Sequence, residues 1–135
     1  MSFIDIFDRS LTTSHHPIGS KSGRAKSLEA IEGEILREKA DALRRAGERL
    51  EEALNGLNGV RRAIDRIEEC LRDHTSPAEE AASRRKAHAD LAGRLAAARD
   101  RAYGAHRDLI IQREAVGLRS HLDVERCYKI VERLR

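Results

Sequence analysis

Apolar residues recur every seven positions through the middle of the chain, at Leu36, Leu43, Leu50, Leu57, Ile64 and Leu71. This heptad spacing is typical of a long helix that buries one narrow stripe against another helix. A second repeat predicts the partner helix, and it is richer in alanine: Ala81, His88, Leu95, Ala102, Leu109 and Val116, flanked by Leu91, Ala98 and Ala105. The pattern therefore predicts two long helices that approach closely along a thin seam, with little room for an enclosed pocket.

The first helix is predicted over residues 27–73, with Ser27 as its N-cap. The segment Asn55–Gly59 contains two Asn-Gly pairs, which are common in turns, and each interior glycine costs about 1 kcal/mol relative to alanine. Because the heptad phase is unbroken from Leu50 to Ile64, we predict one continuous helix that is locally soft. A second interpretation is that the glycines admit a neighbouring backbone.

The second helix is predicted over residues 77–117. The sequence Ser76-Pro77-Ala78-Glu79 has the form of a capping box with proline at the first helical position. Gly117 is typical of a helix C-terminus. The intervening turn at His74-Thr75 is so short that the two helices must run antiparallel.

A third helix is predicted over residues 121–134, capped by Ser120, with an apolar face made of Leu122, Cys127, Ile130, Val131 and Leu134. The N-terminal half of the first helix has extra apolar positions beside the seam, which indicates two neighbours there: Leu28, Ile31, Ile35 and Ala42. We therefore predict an all-α fold, a long coiled-coil-like antiparallel hairpin with the short third helix packed at its open end. Leu54 is expected at an edge of the seam, where it needs cover from a partner.

Residues 1–26 differ in composition from the helical domain at 27–135. Ser, Thr, Gly, Lys and His dominate, which predicts a largely disordered N-terminal tail. An apolar stub near its start holds both phenylalanines of the chain, with Phe3, Ile4, Ile6 and Phe7. This stub either folds back onto the helices or acts as a docking motif for another protein.

Composition and charge narrow the functional classes. Charged residues make up 36% of the chain and aromatic residues 3%, which is typical of long surface helices with a thin core, so the fold is expected to be elongated or completed by a second copy. The net charge is +3, but acids are interleaved with the arginines, so we interpret the charge as solvated helix faces. No apolar run is long enough to span a membrane, no secretory signal is apparent, and Cys70 and Cys127 suit a reducing cytoplasm.

One charged cluster is predicted beside the seam. A turn at residues 74–76 sets Gln112, Arg113 and Glu114 opposite Glu38 and Lys39. We predict ion pairs from Glu38 to Arg113 and from Lys39 to Glu114, which act as a structural clasp that fixes the hairpin register. The alternative interpretation is a binding or catalytic centre, although no nucleophile with a base accompanies these residues.

Metal, cofactor and catalytic sites are not predicted. His88 and His106 lie about five turns apart on one helix, and no Glu-x-x-His pair occurs on two helices, as a di-iron bundle requires. The glycines are scattered and form no phosphate-binding loop.

Two stretches resemble a family of small all-helical bacterial proteins of unknown function. The first is Glu38-Lys39-Ala40 with the following Leu43, Gly47 and Leu50, and the second is Gln112-Arg113-Glu114-Ala115 with Gly117-Leu118-Arg119. The resemblance covers about half of the chain, and it implies a helical fold and a bacterial cytoplasmic setting. It implies no activity.

The sequence therefore predicts a non-enzymatic helical module for protein–protein interaction, an adaptor, chaperone-like or structural component that forms a homodimer in the cytoplasm. The alternative function is that of a nucleic-acid-associated basic helical protein. Steeply salt-dependent binding would distinguish the second from the first.

Overall fold

The computed structural model describes residues 23–135, with their side chains from residue 27 onward. This range contains no strand, and its helices are α1 (Gly23–Arg72), α2 (Ala78–Ala115), α3 (Leu122–Tyr128) and α4 (Ile130–Leu134). Helices α1 and α2 pack along each other as an antiparallel hairpin, which confirms the predicted fold class. Ser27 lies inside α1 and is not its N-cap, because the residues from Gly23 to Lys26 are already helical.

The predicted seam forms the core over the middle of the hairpin. Leu43, Leu50 and Leu57 of α1 are fully buried, and the buried apolar residues that α2 adds to the same cluster are mostly small: Ala98, Ala102 and Leu109. Burying one leucine contributes about 2 kcal/mol, so this stretch supplies most of the stability of the pair. Burial decreases toward the hairpin turn, where Ile64 and Leu71 are only half-buried.

Helix α1 is continuous through Asn55–Gly59, as the heptad phase predicts. A Cβ atom added at Gly56 or Gly59 would meet no heavy atom within 4 Å. The idea that these glycines admit a neighbouring backbone is therefore wrong. Their place in the helix is set by the burial of Leu57 between them, which outweighs their low helix propensity.

The hairpin turn is held by side chains other than the predicted capping box. The backbone N–H and the hydroxyl of Thr75 both donate to Asp73 Oδ1, at 3.1 and 2.7 Å, and these bonds lower the pKa of the Asp73 carboxyl. Helix α2 begins at Ala78 after Pro77, without a side-chain cap. Ser76 Oγ instead accepts a hydrogen bond of 2.7 Å from Arg84 Nη1, so the turn residues lie alongside the first turns of α2.

Helix α2 ends in the manner predicted for Gly117, within two residues of the predicted boundary. Gly117 has a φ of 89°, its N–H donates to Glu114 O at 3.0 Å, and the N–H of Leu118 donates to Arg113 O at 3.0 Å. This pair of bonds is the Schellman arrangement, which favours glycine because a Cβ atom crowds the left-handed backbone. The chain reverses direction at this point.

The third predicted helix is divided at Lys129, which adopts a left-handed backbone with a φ of 50°. Its N–H still donates to Glu125 O at 2.9 Å, so Lys129 closes α3 and opens α4. Ser120 is not the cap of α3. That position belongs to His121, which makes no capping hydrogen bond through its side chain.

The segment formed by α3 and α4 buries Ile130 and Leu134 of the predicted apolar face but leaves the rest of that face exposed. Leu122, Cys127 and Val131 are exposed, whereas the buried positions are Val124, Tyr128, Ile130 and Leu134. The predicted face assumed an unbroken helix. The left-handed residue at 129 rotates α4 relative to α3 and brings Ile130 and Leu134 to the hairpin.

This C-terminal segment packs against the middle of α1 and not against its N-terminal half. Arg133 forms an ion pair with Glu51 at 3.5 Å and donates to Asn55 Oδ1 at 3.1 Å, and Arg61 donates to the carbonyls of Arg133 and Arg135. The segment thereby covers this side of α1, and Leu54, predicted to be an uncovered edge residue, is 0% exposed. The reversal at Gly117 explains the placement, since the chain runs back toward the hairpin turn before α4 forms.

Candidate interaction surface

Helix α1 projects beyond the end of α2. It has 50 residues against the 38 of α2, and its first buried side chain is Leu43. From residue 27 to Lys39 every residue except the half-buried Gly33 is exposed. We call residues 27–39 the overhang. With the preceding turn from Gly23, it extends about 25 Å past the hairpin at 1.5 Å per residue.

The overhang carries the largest group of exposed aliphatic side chains among the described residues. Leu28, Ile31, Ile35 and Leu36 are between 46% and 58% exposed. The spacing of Leu28, Ile31 and Ile35 places them on one face of the helix, and Leu36 continues the heptad row of the buried Leu43. The two neighbours predicted for this half of α1 are therefore absent from the described residues, and the stripe faces solvent.

Charge along the overhang is distributed unevenly. Glu29, Glu32 and Glu34 occupy its N-terminal part, whereas both of its basic residues, Arg37 and Lys39, lie in its C-terminal part. Arg37 Nε donates to the carbonyl of Gly33 at 3.2 Å, which leaves the guanidinium on the surface of its own helix. The overhang is thus a half-exposed apolar stripe bordered by an acidic half and a mixed half.

The residues of the predicted clasp do not come together. Arg113 is 4% exposed and its Nη2 donates to the carbonyl of Ser120 at 2.9 Å, while Glu114 pairs with His121 at 3.3 Å. Glu38 and Lys39 are exposed, and no ion pair within residues 27–135 joins them to α2. Gln112 is half-buried on α2.

The hairpin register explains this separation. The predicted register sets His88 opposite Arg62, whereas His88 Nε2 lies 3.1 Å from Glu68 Oε1. The turn residues lie alongside the start of α2, as the bond from Arg84 to Ser76 shows, so α2 is displaced toward the turn. Arg113 consequently fixes the connection between α2 and α3, and α2 ends before it reaches the N-terminal part of α1.

An open groove of about 290 Å³ lies between α2 and α4, and its lining includes Tyr103, His106, Ile130 and Leu134. Burial lowers the pKa of His106 below its ordinary value of 6.5, more strongly than the nearby Glu125 carboxylate raises it. The neutral imidazole therefore suits this position. The sequence did not predict that His106 lines a groove, because the packing of α4 against α2 depends on the break at Lys129.

A larger groove of about 580 Å³ runs between α1 and α2. Its floor consists of small residues, namely Ala53, Gly56, Gly104 and Ala105, and its rim carries Arg49, Glu52, Arg101 and Asp108. The lining contains no serine, cysteine or histidine. We interpret it as the place where small side chains leave the helix pair uncovered.

A run of arginines in α2, at positions 94, 99, 101, 107 and 113, does not form one exposed stripe. Arg113 is buried and Arg99 is half-buried, with its Nε lacking a hydrogen-bond partner. Nearer the turn, Arg84 is held by Ser76 and by Glu80 at 3.6 Å. The exposed members of the run are Arg94, Arg101 and Arg107.

Within residues 23–135 no group of three or more His, Cys, Asp or Glu residues could hold a metal ion, and no helix is long and apolar enough to cross a membrane. Cys70 and Cys127 are free, exposed thiols. The docking motif predicted at Phe3, Ile4, Ile6 and Phe7 lies outside the described residues.

Comparison of the chain with protein-family models, with curated proteins and with solved structures finds no match.

Proposed function

We propose that this chain is a non-enzymatic helical module for protein–protein interaction, an adaptor, chaperone-like or structural component that works as a homodimer. The observation that carries the proposal is the overhang, which holds an apolar stripe on a helix that no other described residue covers. A projecting helix with such a stripe is the form in which a helix is presented to a groove or to a second helix.

The energetics support binding at this surface. Leu28, Ile31, Ile35 and Leu36 are each about half exposed, so covering them contributes roughly 1 kcal/mol per side chain. The overhang is also a direct continuation of a helix anchored in the core at Leu43 and Leu50. A partner therefore meets a preformed helix, which lowers the ordering cost of association.

The proposal includes a bacterial cytoplasmic setting. The free thiols of Cys70 and Cys127 are compatible with a reducing compartment. The bacterial origin rests on the resemblance of the Gln112–Arg119 stretch to helical bacterial proteins. Nucleic acid is not the partner in this proposal, because the arginines of α2 are divided between buried, half-buried and exposed positions.

The experiment is affinity capture from a nuclease-treated lysate of the organism that carries the gene. The full chain is compared with Ile31→Lys, which places a charge in the stripe, and with Val131→Lys, which changes an equally exposed aliphatic residue of α4. We expect the wild type and Val131→Lys to retain the same protein, either this chain or another, and Ile31→Lys to lose it. Equal capture by all forms, or capture that disappears with nuclease or moderate salt, would refute the proposal.

A further inference from the structure

An apolar segment lies shortly before the overhang in the chain. Residues 3–7, which we call the stub, contain Phe3, Ile4, Ile6 and Phe7, and no other phenylalanine occurs in the chain. The stub lies outside the described residues, and α1 is the element that follows it. Large aromatic side chains contribute strongly when they are buried, so a segment of this composition favours contact with an apolar surface.

The stripe of the overhang is an apolar surface that the described residues leave open. Ile31 and Ile35 are 49% and 46% exposed, and their spacing places them one turn apart on the same face of α1. We propose that the stub of the same chain binds at these two residues and competes there with the protein partner. The inference rests on the proposed function, because it names what regulates access to the same stripe.

The length of the connection fits this contact. Residues 8–22 form a connection of 15 residues between the stub and Gly23, the first described residue of α1. A polar chain of that length spans about 21 Å on average. The helix rise sets Ile35 about 18 Å from Gly23. The average reach of the connection therefore matches the position of the stripe.

Length also separates the stripe from other exposed apolar side chains. Tyr103 and Val131 line the groove between α2 and α4, and Tyr103 is next to Gly104, which lines the larger groove together with Ala53. Ala53 is about 45 Å from Gly23 along α1. The connection reaches that far only when it is almost fully extended, at about 3.3 Å per residue, so the stub meets the stripe first.

Charge selects the C-terminal part of the overhang as the place of contact. The stub contains Asp5, and Asp8 follows it directly. Residues 27–34 have a net charge of −3 from three glutamates, whereas residues 35–39 have a net charge of +1, from Arg37 and Lys39 against Glu38. Neither of these two basic side chains forms an ion pair with a described residue. The acidic stub is therefore attracted to the end of the stripe near Arg37.

The tether makes a weak contact sufficient. A segment on the same chain is present at an effective concentration in the millimolar range. The stub can thus cover the stripe without high intrinsic affinity, and a partner that binds more tightly displaces it. The stub thereby excludes weak, non-specific contacts at the stripe.

The first measurement is amide hydrogen exchange within residues 27–39 of the full chain. The wild type is compared with Phe3→Ser/Phe7→Ser and with the matched control Leu11→Ser/Ile18→Ser, which removes two apolar side chains from the connection. We expect exchange to be roughly fivefold or more faster in the stub variant and unchanged in the control. Equal exchange in all three forms, or equal acceleration by both variants, overturns the inference.

The second measurement locates the stub with a spin label at Ser2→Cys, with Cys70→Ser and Cys127→Ser to remove the exposed native thiols. We expect broadening of amide signals to be strongest within residues 31–39. Broadening that is strongest at Gly23 and declines steadily along α1 overturns the inference. In a mixture of spin-labelled chains with isotope-labelled chains that carry no spin label, we expect no broadening, and broadening there would assign the contact to a second copy and overturn the inference.

The capture experiment separates the inference from the proposed function. We expect Phe3→Ser/Phe7→Ser to retain more of the captured protein than the wild type, because the stripe is uncovered. If exchange and broadening do not depend on the stub but Ile31→Lys still loses the captured protein, the inference is wrong and the interaction module stands. If the stub protects the stripe but no captured protein depends on Ile31, the proposed function is wrong and the contact of the stub stands.

Discussion

Glycine at position 59 offers a direct test of the continuous α1 helix. Gly59 lies in the interior of α1, and a Cβ atom added there would meet nothing within 4 Å. Alanine is favoured over glycine in a helix interior by about 0.8–1.0 kcal/mol, chiefly because glycine loses more backbone freedom on folding. The substitution Gly59→Ala should therefore raise the free energy of unfolding by about 1 kcal/mol.

The companion variant Gly56→Ala meets the same open space and should add a similar increment. Gly117→Ala supplies the contrast, because Gly117 has a φ of 89° and a Cβ atom there costs about 1–2 kcal/mol. The assay is urea unfolding followed by circular dichroism at 222 nm, with the midpoint and the slope fitted separately. Since the expected increment for Gly59→Ala is near 1 kcal/mol, the melting temperature should rise by about 3–6 °C. If Gly59→Ala lowers the stability while Gly117→Ala leaves it unchanged, the assignment of helix at 59 and of the left-handed turn at 117 is wrong.

The remaining predictions concern the seam, the C-terminal segment and pH. Leu57→Ala should lower the free energy of unfolding by about 2–5 kcal/mol, because Leu57 is buried. Leu36 has the same heptad position but is 56% exposed, so Leu36→Ala should change the free energy of unfolding of the monomer by less than about 0.5 kcal/mol. Urea midpoints of dilute samples test this difference, and equal losses for the two variants would contradict it. Arg133→Ala removes the ion pair with Glu51 and the hydrogen bond to Asn55, so it should lower the free energy of unfolding by about 1 kcal/mol and speed proteolysis within residues 122–135. An unchanged cleavage rate would argue against the attachment of this segment to α1. The pKa of His106 is lowered in the folded state, so the unfolded chain binds the proton more readily, and the free energy of unfolding should fall as the pH drops through 6.5 and level off below the folded pKa. In urea titrations at several pH values, His106→Gln should reduce the dependence of the free energy of unfolding on pH. An undiminished pH dependence would assign it to another group.

The local sequence pattern was sufficient to predict burial where one helix packs against a single partner helix. The heptad row predicted the burial of Leu43, Leu50 and Leu57, and its unbroken phase correctly outweighed the two Asn-Gly pairs. Gly117 was likewise correctly placed, because a helix C-terminus with glycine requires only local backbone geometry. These features depend on residues that are close in sequence or on a strict period.

The prediction from sequence was wrong where a short local motif competed with longer-range contacts. Ser76 and Glu79 have the spacing of a capping box, but Arg84 takes the Ser76 hydroxyl and the helix begins without a side-chain cap. The hairpin register also differs from the predicted one, as the contact between His88 Nε2 and Glu68 Oε1 shows. The predicted meeting of Arg113 with Glu38 therefore fails, although both residues lie in helices as expected.

The sequence by itself determined the helical hairpin of the described residues, its two long helices and the row of leucines between them. A seven-residue period and a glycine-terminated helix are local properties of the backbone. Only the tertiary structure decided which apolar residues are covered. The break at Lys129 rotates α4, the segment returns to Leu54, and Leu28 to Leu36 are left exposed. Amphipathic spacing shows that a face will be buried but does not identify its neighbour, since that depends on register and on the direction of the chain after each turn.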